Sequence, residues 1–173
     1  MKNLILKLEK EHKLTKAEWV QLINGRTQEL VEFLFERARE VRHSHYGKDV
    51  YIRGLIEFTN YCKNDCYYCG IRRSNGCVSR YRLTEEDILS CCRNGYGLGF
   101  RTFVLQGGED GWFTKERMTT IISAIHQEFP DCAITLSVGE REKEEYQAYF
   151  NAGANRFLLR HETANEDHYS YLH

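Results

Sequence analysis

Hydrophobic and polar positions follow two regimes along this chain. Up to about residue 48, apolar residues recur at helical spacing. Thr15-Lys-Ala-Glu18 is a capping box, and Trp19, Leu22 and Ile23 follow it on one helical face before Gly25 ends the turn. A longer stripe of Leu30, Val31, Leu34, Phe35, Ala38 and Val41 reaches His43 and predicts a packing helix pair. From residue 50 the pattern changes. Tyr51 to Thr59, Arg101 to Gln106, Ala133 to Val138 and Arg156 to Arg160 alternate, are rich in β-branched or aromatic residues, and read as strands. Helical patterns lie between them. Thr84-Glu-Glu-Asp87 caps one, Lys115 to Phe129 forms the next and stops at Pro130, and Glu142 to Asn151 ends at Gly153. Thr163-Ala-Asn-Glu166 caps a fourth. Strand followed by helix, four times over, predicts an α/β fold with parallel strands and helices outside.

A doubly wound sheet and a (β/α)8 barrel both fit this pattern. Complete barrels run to about 250 residues, so four units amount to half of one. The last helical pattern reaches Tyr171-Leu-His173 without a C-cap signal, so the expectation is a truncated barrel with strand edges open to self-pairing. Residues i and i+2 share a strand face. Ile56 and Phe58, Phe103 and Leu105, Ile134 and Leu136, and Phe157 and Leu159 make the apolar faces that helices would cover. The opposite faces carry Glu57, Thr59, Gln106, Thr135, Ser137 and Arg160, and they turn polar toward the C-terminal strand ends. Polar groups collected there predict a ligand-binding mouth.

Composition narrows the partners. The net charge of −1 gives no electrostatic case for nucleic acid or an anionic membrane surface. The brief apolar stretch at the start is broken by lysines and is neither a signal peptide nor a membrane span, so a cytoplasmic location is expected. Seven cysteines is an odd count, and their clustering favours metal binding over a disulfide framework. Cys91, Cys92 and Cys132 are expected as buried small hydrophobes. His43 and His45 read as solvated or capping residues.

The chemistry concentrates in Asn60-Tyr-Cys-Lys-Asn-Asp-Cys-Tyr-Tyr-Cys-Gly70. Cys62, Cys66 and Cys69 stand at C-x3-C-x2-C, directly after the first strand. Three thiolates can hold three irons of a four-iron cluster and leave the fourth iron open to a small molecule. The rival is zinc, with Cys77 completing a four-thiolate tetrahedron in a structural module. Replacing Cys77 by Ser separates the two. Thioredoxin-like redox chemistry at Cys66-x2-Cys69 is disfavoured, because no thioredoxin-like cap helix follows the pair. Tyr67 and Tyr68 are expected to shield the cluster, with Tyr68 placed to contact a flat ligand. After the second strand comes Gln106-Gly-Gly-Glu-Asp110. Gly107 and Gly108 let a ligand approach the backbone, and Glu109 offers an acceptor for an ammonium. Thr135, Ser137, Glu140, Arg160 and Glu162 lie at the ends of the third and fourth strands. There an arginine suits a carboxylate, with an internal ion pair closing the rim as the alternative, and Glu140 could equally cap the following helix.

These motifs carry a family resemblance. Ile56 to Asn75, Gly99 to Asp110, Ile134 to Glu140 and Leu158 to Ala164 resemble the radical S-adenosylmethionine (SAM) maturases of [FeFe]-hydrogenase, of the HydE type, whose relatives include biotin synthase and methylornithine synthase. The resemblance implies the radical-SAM (β/α)8 barrel. Residues 1–48 would be an N-terminal helical segment and 49–173 the N-terminal half of the barrel domain, about four βα units. It implies a [4Fe-4S] cluster on Cys62, Cys66 and Cys69. Reduced by one electron, this cluster cleaves SAM to methionine and a 5′-deoxyadenosyl radical. By the same resemblance, Tyr68 lies against the adenine and Gly107-Gly108-Glu109 receives the methionine amino group. Ser137 and Glu162 bind the ribose or carboxylate region, Arg160 faces the substrate cavity, and Gln106 and Thr135 complete the cofactor-contacting set. The implied partners are a small-molecule or iron-bound small precursor, a one-electron reductant protein of ferredoxin or flavodoxin type, and other hydrogenase maturases.

Overall fold

In the computed structural model, which describes residues 1–173, helix alone gives way to alternating strand and helix, and the chain divides into two units, Met1–Tyr51 and Ile52–His173. The first unit holds α1 (Lys2–Glu11), α2 (Lys16–Asn24) and α3 (Gln28–Tyr46). The Thr15 hydroxyl accepts from the Glu18 N–H at 3.3 Å, and the Glu18 carboxylate accepts from the Thr15 N–H at 2.8 Å. Two orphan N–H groups of α2 are thereby satisfied, as the capping box predicts. Ile5, Leu22 and Leu30 form a small core. Trp19, Ile23 and Phe35 share the predicted stripes yet are exposed. The three helices bury only the centre of each stripe, so spacing alone overstates the packed set. His45 bonds the Val41 carbonyl oxygen through Nδ1 at 2.8 Å and His43 is exposed, in line with capping and solvated roles.

The second unit is a four-stranded parallel sheet with α4 (Glu85–Gly97), α5 (Lys115–Glu128) and α6 (Lys143–Ala152) between its strands. The strands β1 (Gly54–Thr59), β2 (Thr102–Gly107), β3 (Ala133–Ser137) and β4 (Arg156–Phe157) lie in sequence order. A doubly wound sheet would reverse its order at a switch point, and no reversal occurs here. Strict succession is the arrangement of consecutive barrel units. Ile56, Phe58, Phe103, Leu105, Ile134 and Leu136 are buried from one face of the sheet, as the alternation predicts. They form one cluster with Ile88 and Cys92 of α4, Met118, Ile122 and Ile125 of α5, and Tyr149 of α6.

Four local expectations are corrected. The first strand starts at Gly54 instead of Tyr51, and the fourth pairs only over Arg156–Phe157, with one further bond from the Leu158 N–H to the Leu136 carbonyl at 2.8 Å. Aromatic and β-branched composition marks where a strand can form, and pairing lasts only while a neighbour runs alongside. The last helix, α7 (Glu166–Leu172), is capped by Asn165, whose side chain accepts from the His168 N–H at 2.8 Å. Thr163 instead accepts from the Asn165 N–H at 3.3 Å. Cys91 is exposed, whereas Cys92 and Cys132 are buried as expected. Adjacent residues on a helix point about 100° apart, so one of the pair had to leave the core.

The register of β1 against β2 slips between Glu57 and Thr59. This bulge buries Phe58 and Thr59 side by side, and Thr59 keeps only 2% of its surface. Bulges re-aim side chains where a strand must deliver a group to a site. Here the Thr59 hydroxyl is turned onto Asp110, 2.8 Å away.

Candidate functional site

The bulge leads directly into the cysteine loop, which follows the C-terminal end of β1. The loop has little regular structure, so its backbone groups need other partners. Arg80 supplies many of them. Its guanidinium donates to the carbonyl oxygens of Ile71 at 2.8 Å, Arg72 at 2.6 Å and Asn75 at 3.2 Å, and also to that of Asn60. Asn60 is buried and donates to the Ser79 carbonyl at 2.7 Å while accepting from the Tyr81 N–H at 2.8 Å. The two ends of the loop are thus tied together, with Cys62, Cys66 and Cys69 between them. The Cys69 N–H bonds the Cys66 carbonyl at 3.0 Å, making a tight turn of the C-x2-C segment.

The Gly107-Gly108-Glu109 stretch sits against this loop. A methyl group on Gly108 would lie 2.2 Å from the Tyr61 carbonyl oxygen and 2.7 Å from Cys62 Cβ. The close approach anticipated for a ligand is made at this glycine by the cysteine loop itself. The Lys63 N–H donates to the Glu109 carbonyl oxygen at 3.0 Å, so the loop after β2 and the loop after β1 share a backbone bond. The Glu109 side chain packs on Gly139, whose φ is +74° and where any Cβ would fall 2.2 Å from Glu109 Cγ. Its carboxylate accepts from Asn64 Nδ2 at 2.9 Å and pairs with Lys63 Nζ at 3.0 Å.

Behind the loop lies a clamp that spacing did not reveal. Arg82 makes a bidentate pair with Asp110, at 2.6 and 2.9 Å. Asp110 also accepts from the Thr59 hydroxyl at 2.8 Å and the Trp112 N–H at 3.0 Å. Burial pushes the Asp110 carboxyl up, but Arg82, Trp112 and Thr59 together outweigh it and hold the group below the usual carboxylate range. The Arg82 guanidinium stacks over Tyr61 at 3.9 Å. Arg80, Arg82, Asn60 and Asn64 are ordinary loop residues by pattern, and their long-range partners carry no local signal.

The cysteine loop and the strand ends enclose a cavity of about 620 Å³. Ligand pockets typically fall within roughly 300–1,000 Å³. Cys62, Cys66, Cys69, Tyr68, Gln106, Gly107, Gly108, Glu109, Ser137, Arg160 and Glu162 all border it. So do Glu57 and Glu140. Thr135 does not; it is buried on β3, and its hydroxyl has no partner. Across the sheet face, Gln106 donates to Glu57 at 3.3 Å and accepts from Arg160 at 3.4 Å. Arg160 therefore reaches Gln106, and the rim-closing ion pair is not formed. Glu162 has φ +58°, a left-handed backbone that only a tight local constraint holds in a non-glycine residue. Tyr67 packs on Tyr171, centroids 5.5 Å apart, and stands outside the cavity; Tyr68 alone of the pair borders it.

The thiols suit an iron–sulfur cluster better than a zinc ion. Burial pushes the Cys66 thiol up, and a hydrogen bond from Tyr68 works against it. No three His, Cys, Asp or Glu side chains converge as a single-ion site requires. Cys77 is exposed and lies outside the cavity, so the four-thiolate zinc arrangement has no counterpart here. The three cysteines border one cavity. Soft thiolates are also the donors that iron–sulfur clusters select.

Parallel βα succession and this cysteine mouth define the class, and a family profile described as Radical SAM superfamily matches residues 56–173. The chain belongs to the radical SAM superfamily, a family of enzymes. It is 44% identical over 134 residues to the [FeFe] hydrogenase maturase subunit HydE of Thermotoga maritima, covering 78% of this chain and 38% of that protein. It is 31% identical to the 3-methylornithine synthase of Methanosarcina acetivorans, over 87% of this chain and 43% of that one. The crystal structure of methylornithine synthase PylB superposes with a TM-score of 0.84 at 30% identity, covering 98% of this chain and 50% of that one. The chain thus spans about two-fifths of the length of these curated relatives. The barrel expected from the succession of units agrees with these folds. No helix is long and apolar enough to cross a membrane.

Proposed function

We propose that this chain carries the cluster- and SAM-binding part of a radical SAM enzyme acting in [FeFe]-hydrogenase maturation. The observation that supports it most is spatial. The three cysteines and the Gly107-Gly108-Glu109 turn, some forty residues apart in sequence, border one cavity, and their loops share a backbone bond from Lys63 to Glu109. Cys62, Cys66 and Cys69 would hold the [4Fe-4S] cluster. Such a cluster, once reduced, would supply the electron for cleavage of SAM to methionine and a 5′-deoxyadenosyl radical. The chain's own residues would bind and orient SAM. Glu109, already seated on Gly139 and engaged by Lys63 and Asn64, would receive the methionine ammonium. Tyr68 would lie against the adenine, and Ser137 and Glu162 would take the ribose or carboxylate region. Arg160, tethered to Gln106, would face a small-molecule or iron-bound precursor. Thr135, buried with a free hydroxyl, would take part only through a neighbour. An external one-electron donor of ferredoxin or flavodoxin type completes the scheme, in a cytoplasmic setting. Residues 1–48 would form a helical segment apart from the barrel part at 49–173. The 0.84 superposition on methylornithine synthase supports a second reading within the class, an enzyme of that kind.

The test is reconstitution of the chain with iron and sulfide without oxygen, followed by metal analysis and electron paramagnetic resonance (EPR) spectra with and without SAM. The expected result is about four irons per chain and a spectrum that SAM shifts. Alanine at Cys62, Cys66 or Cys69 should abolish the iron, and Cys77→Ser should leave it unchanged. Zinc that is lost in Cys77→Ser would overturn the reading.

A further inference from the structure

The cysteine loop has a second neighbour, 107 residues on from Cys66 in the chain. The end of α7 lies across it. The Tyr67 N–H donates to the Leu172 carbonyl oxygen at 3.0 Å, and Tyr67 packs on Tyr171. These contacts bring His173 over the C-x2-C turn. Its Nδ1 is 3.3 Å from Cys66 Sγ, and its Nε2 is 3.1 Å from the Tyr68 hydroxyl. Tyr169 stacks on the imidazole, centroids 4.2 Å apart and planes inclined by 22°, which sets the ring's orientation.

With Cys66 as a ligating thiolate, which can only accept, the two contacts call for the proton on Nδ1. Nε2 is then a bare acceptor, and the Tyr68 hydroxyl is its donor. Cys66 and Tyr68 already border the cavity assigned to the cluster and cofactor, so the imidazole links a cluster ligand to the aromatic that would contact SAM. Hydrogen bonds to ligating sulfurs are among the features that set iron–sulfur potentials. They offset negative charge on the sulfur and so favour the reduced, more negative cluster.

We propose that His173 is a positioning residue for the cluster, donating through Nδ1–H to the Cys66 thiolate and accepting through Nε2 from the Tyr68 hydroxyl, and that the bond to sulfur raises the cluster's reduction potential. The inference rests on Cys66 being a cluster ligand, as proposed above. Two variants of the full chain test it. His173→Phe keeps the ring on Tyr169 and removes both nitrogens. His173→Asn restores a side-chain N–H near the position of Nδ1. Each is reconstituted with iron and sulfide, and the potential is read by EPR-monitored titration without SAM. A potential belongs to the loaded fraction, so incomplete loading does not obscure it. The expected result is a more negative potential in His173→Phe and a return toward the wild-type value in His173→Asn. An unchanged potential in His173→Phe overturns the proposal. So does the same negative shift in both variants, which would assign the effect to solvent exposure instead of N–H donation. Failure of the wild-type chain to take up a cluster would instead overturn the underlying assignment of Cys66, a distinguishable result.

Discussion

Gly108 shows how one atom decides the arrangement of the site. Its missing Cβ leaves room for the Tyr61 carbonyl and for Cys62, so the two loops can meet. Gly108→Ala should force the cysteine loop away, since a backbone carbonyl cannot swing aside as a flexible side chain can. The expected cost is about 3 kcal/mol, the upper end for overpacking, read as a fall in the thermal midpoint together with weaker iron uptake. A variant with wild-type stability would show that the loops separate freely. The cysteines outside the loop divide just as sharply. Burial pushes the Cys92 thiol up to about 12, and Cys132 is also buried, while Cys77 and Cys91 are exposed. A maleimide should therefore label Cys77 and Cys91 in the native chain and reach Cys92 and Cys132 only on unfolding, as peptide mass mapping would show.

At the scale of elements, the contact between the β1 and β2 loops depends on the clamp of Arg82, Asp110 and Thr59. Arg82→Ala leaves a buried carboxylate without its main partner. The expected loss is about 2 kcal/mol, below the ~3–5 kcal/mol of a fully buried pair, because the Arg82 side chain keeps 33% of its surface exposed. The clamp also makes a pH prediction. Asp110 has a lowered carboxyl pKa in the folded chain, so its contribution is present above the ordinary carboxylate range and is lost as pH falls through the lowered value. Without Arg82, the largest influence holding that pKa down is gone, and burial is opposed only by Trp112 and Thr59. The stability gap between wild type and Arg82→Ala should then narrow on acidification, in denaturant titrations from neutral to acid pH. A gap independent of pH would remove Asp110 from the account.

Across the whole molecule, the sheet has two open sides. Beyond its pairing with β2, β1 has only an isolated antiparallel bridge of Thr59 to Arg82 at its C-terminal end, and β4 pairs only with β3. Leu55, Leu158 and Leu159 are exposed beside them, Leu55 at 55%. Unpaired strand edges next to apolar side chains are templates for association. The chain by itself should gain mass with concentration in sedimentation velocity, and Leu55→Lys should suppress the effect. A single monomeric species over the same range would count against this account.

The strands, their helices and the two motifs were legible in the sequence, because each depends on neighbours within a few residues. Alternation in Ile56-Glu57-Phe58, the capping boxes at Thr15 and Thr84, and the close spacing of Cys62, Cys66 and Cys69 are all local patterns. The bulge at Phe58, the exposure of Trp19 and Cys91, and the short pairing of β4 were not legible, since each depends on what lies across from it. The same holds for Arg80 bridging four carbonyls, for Arg82 on Asp110, and for His173 over Cys66. The linear order of residues already carries the chemistry this chain can hold: three thiols, a glycine turn with a carboxylate, and a parallel α/β frame to carry them. How those groups face one another is set by folding in three dimensions. Hydrogen bonds and steric contacts act over a few ångströms in space, and no pattern in a linear chain records which distant residues will come that close.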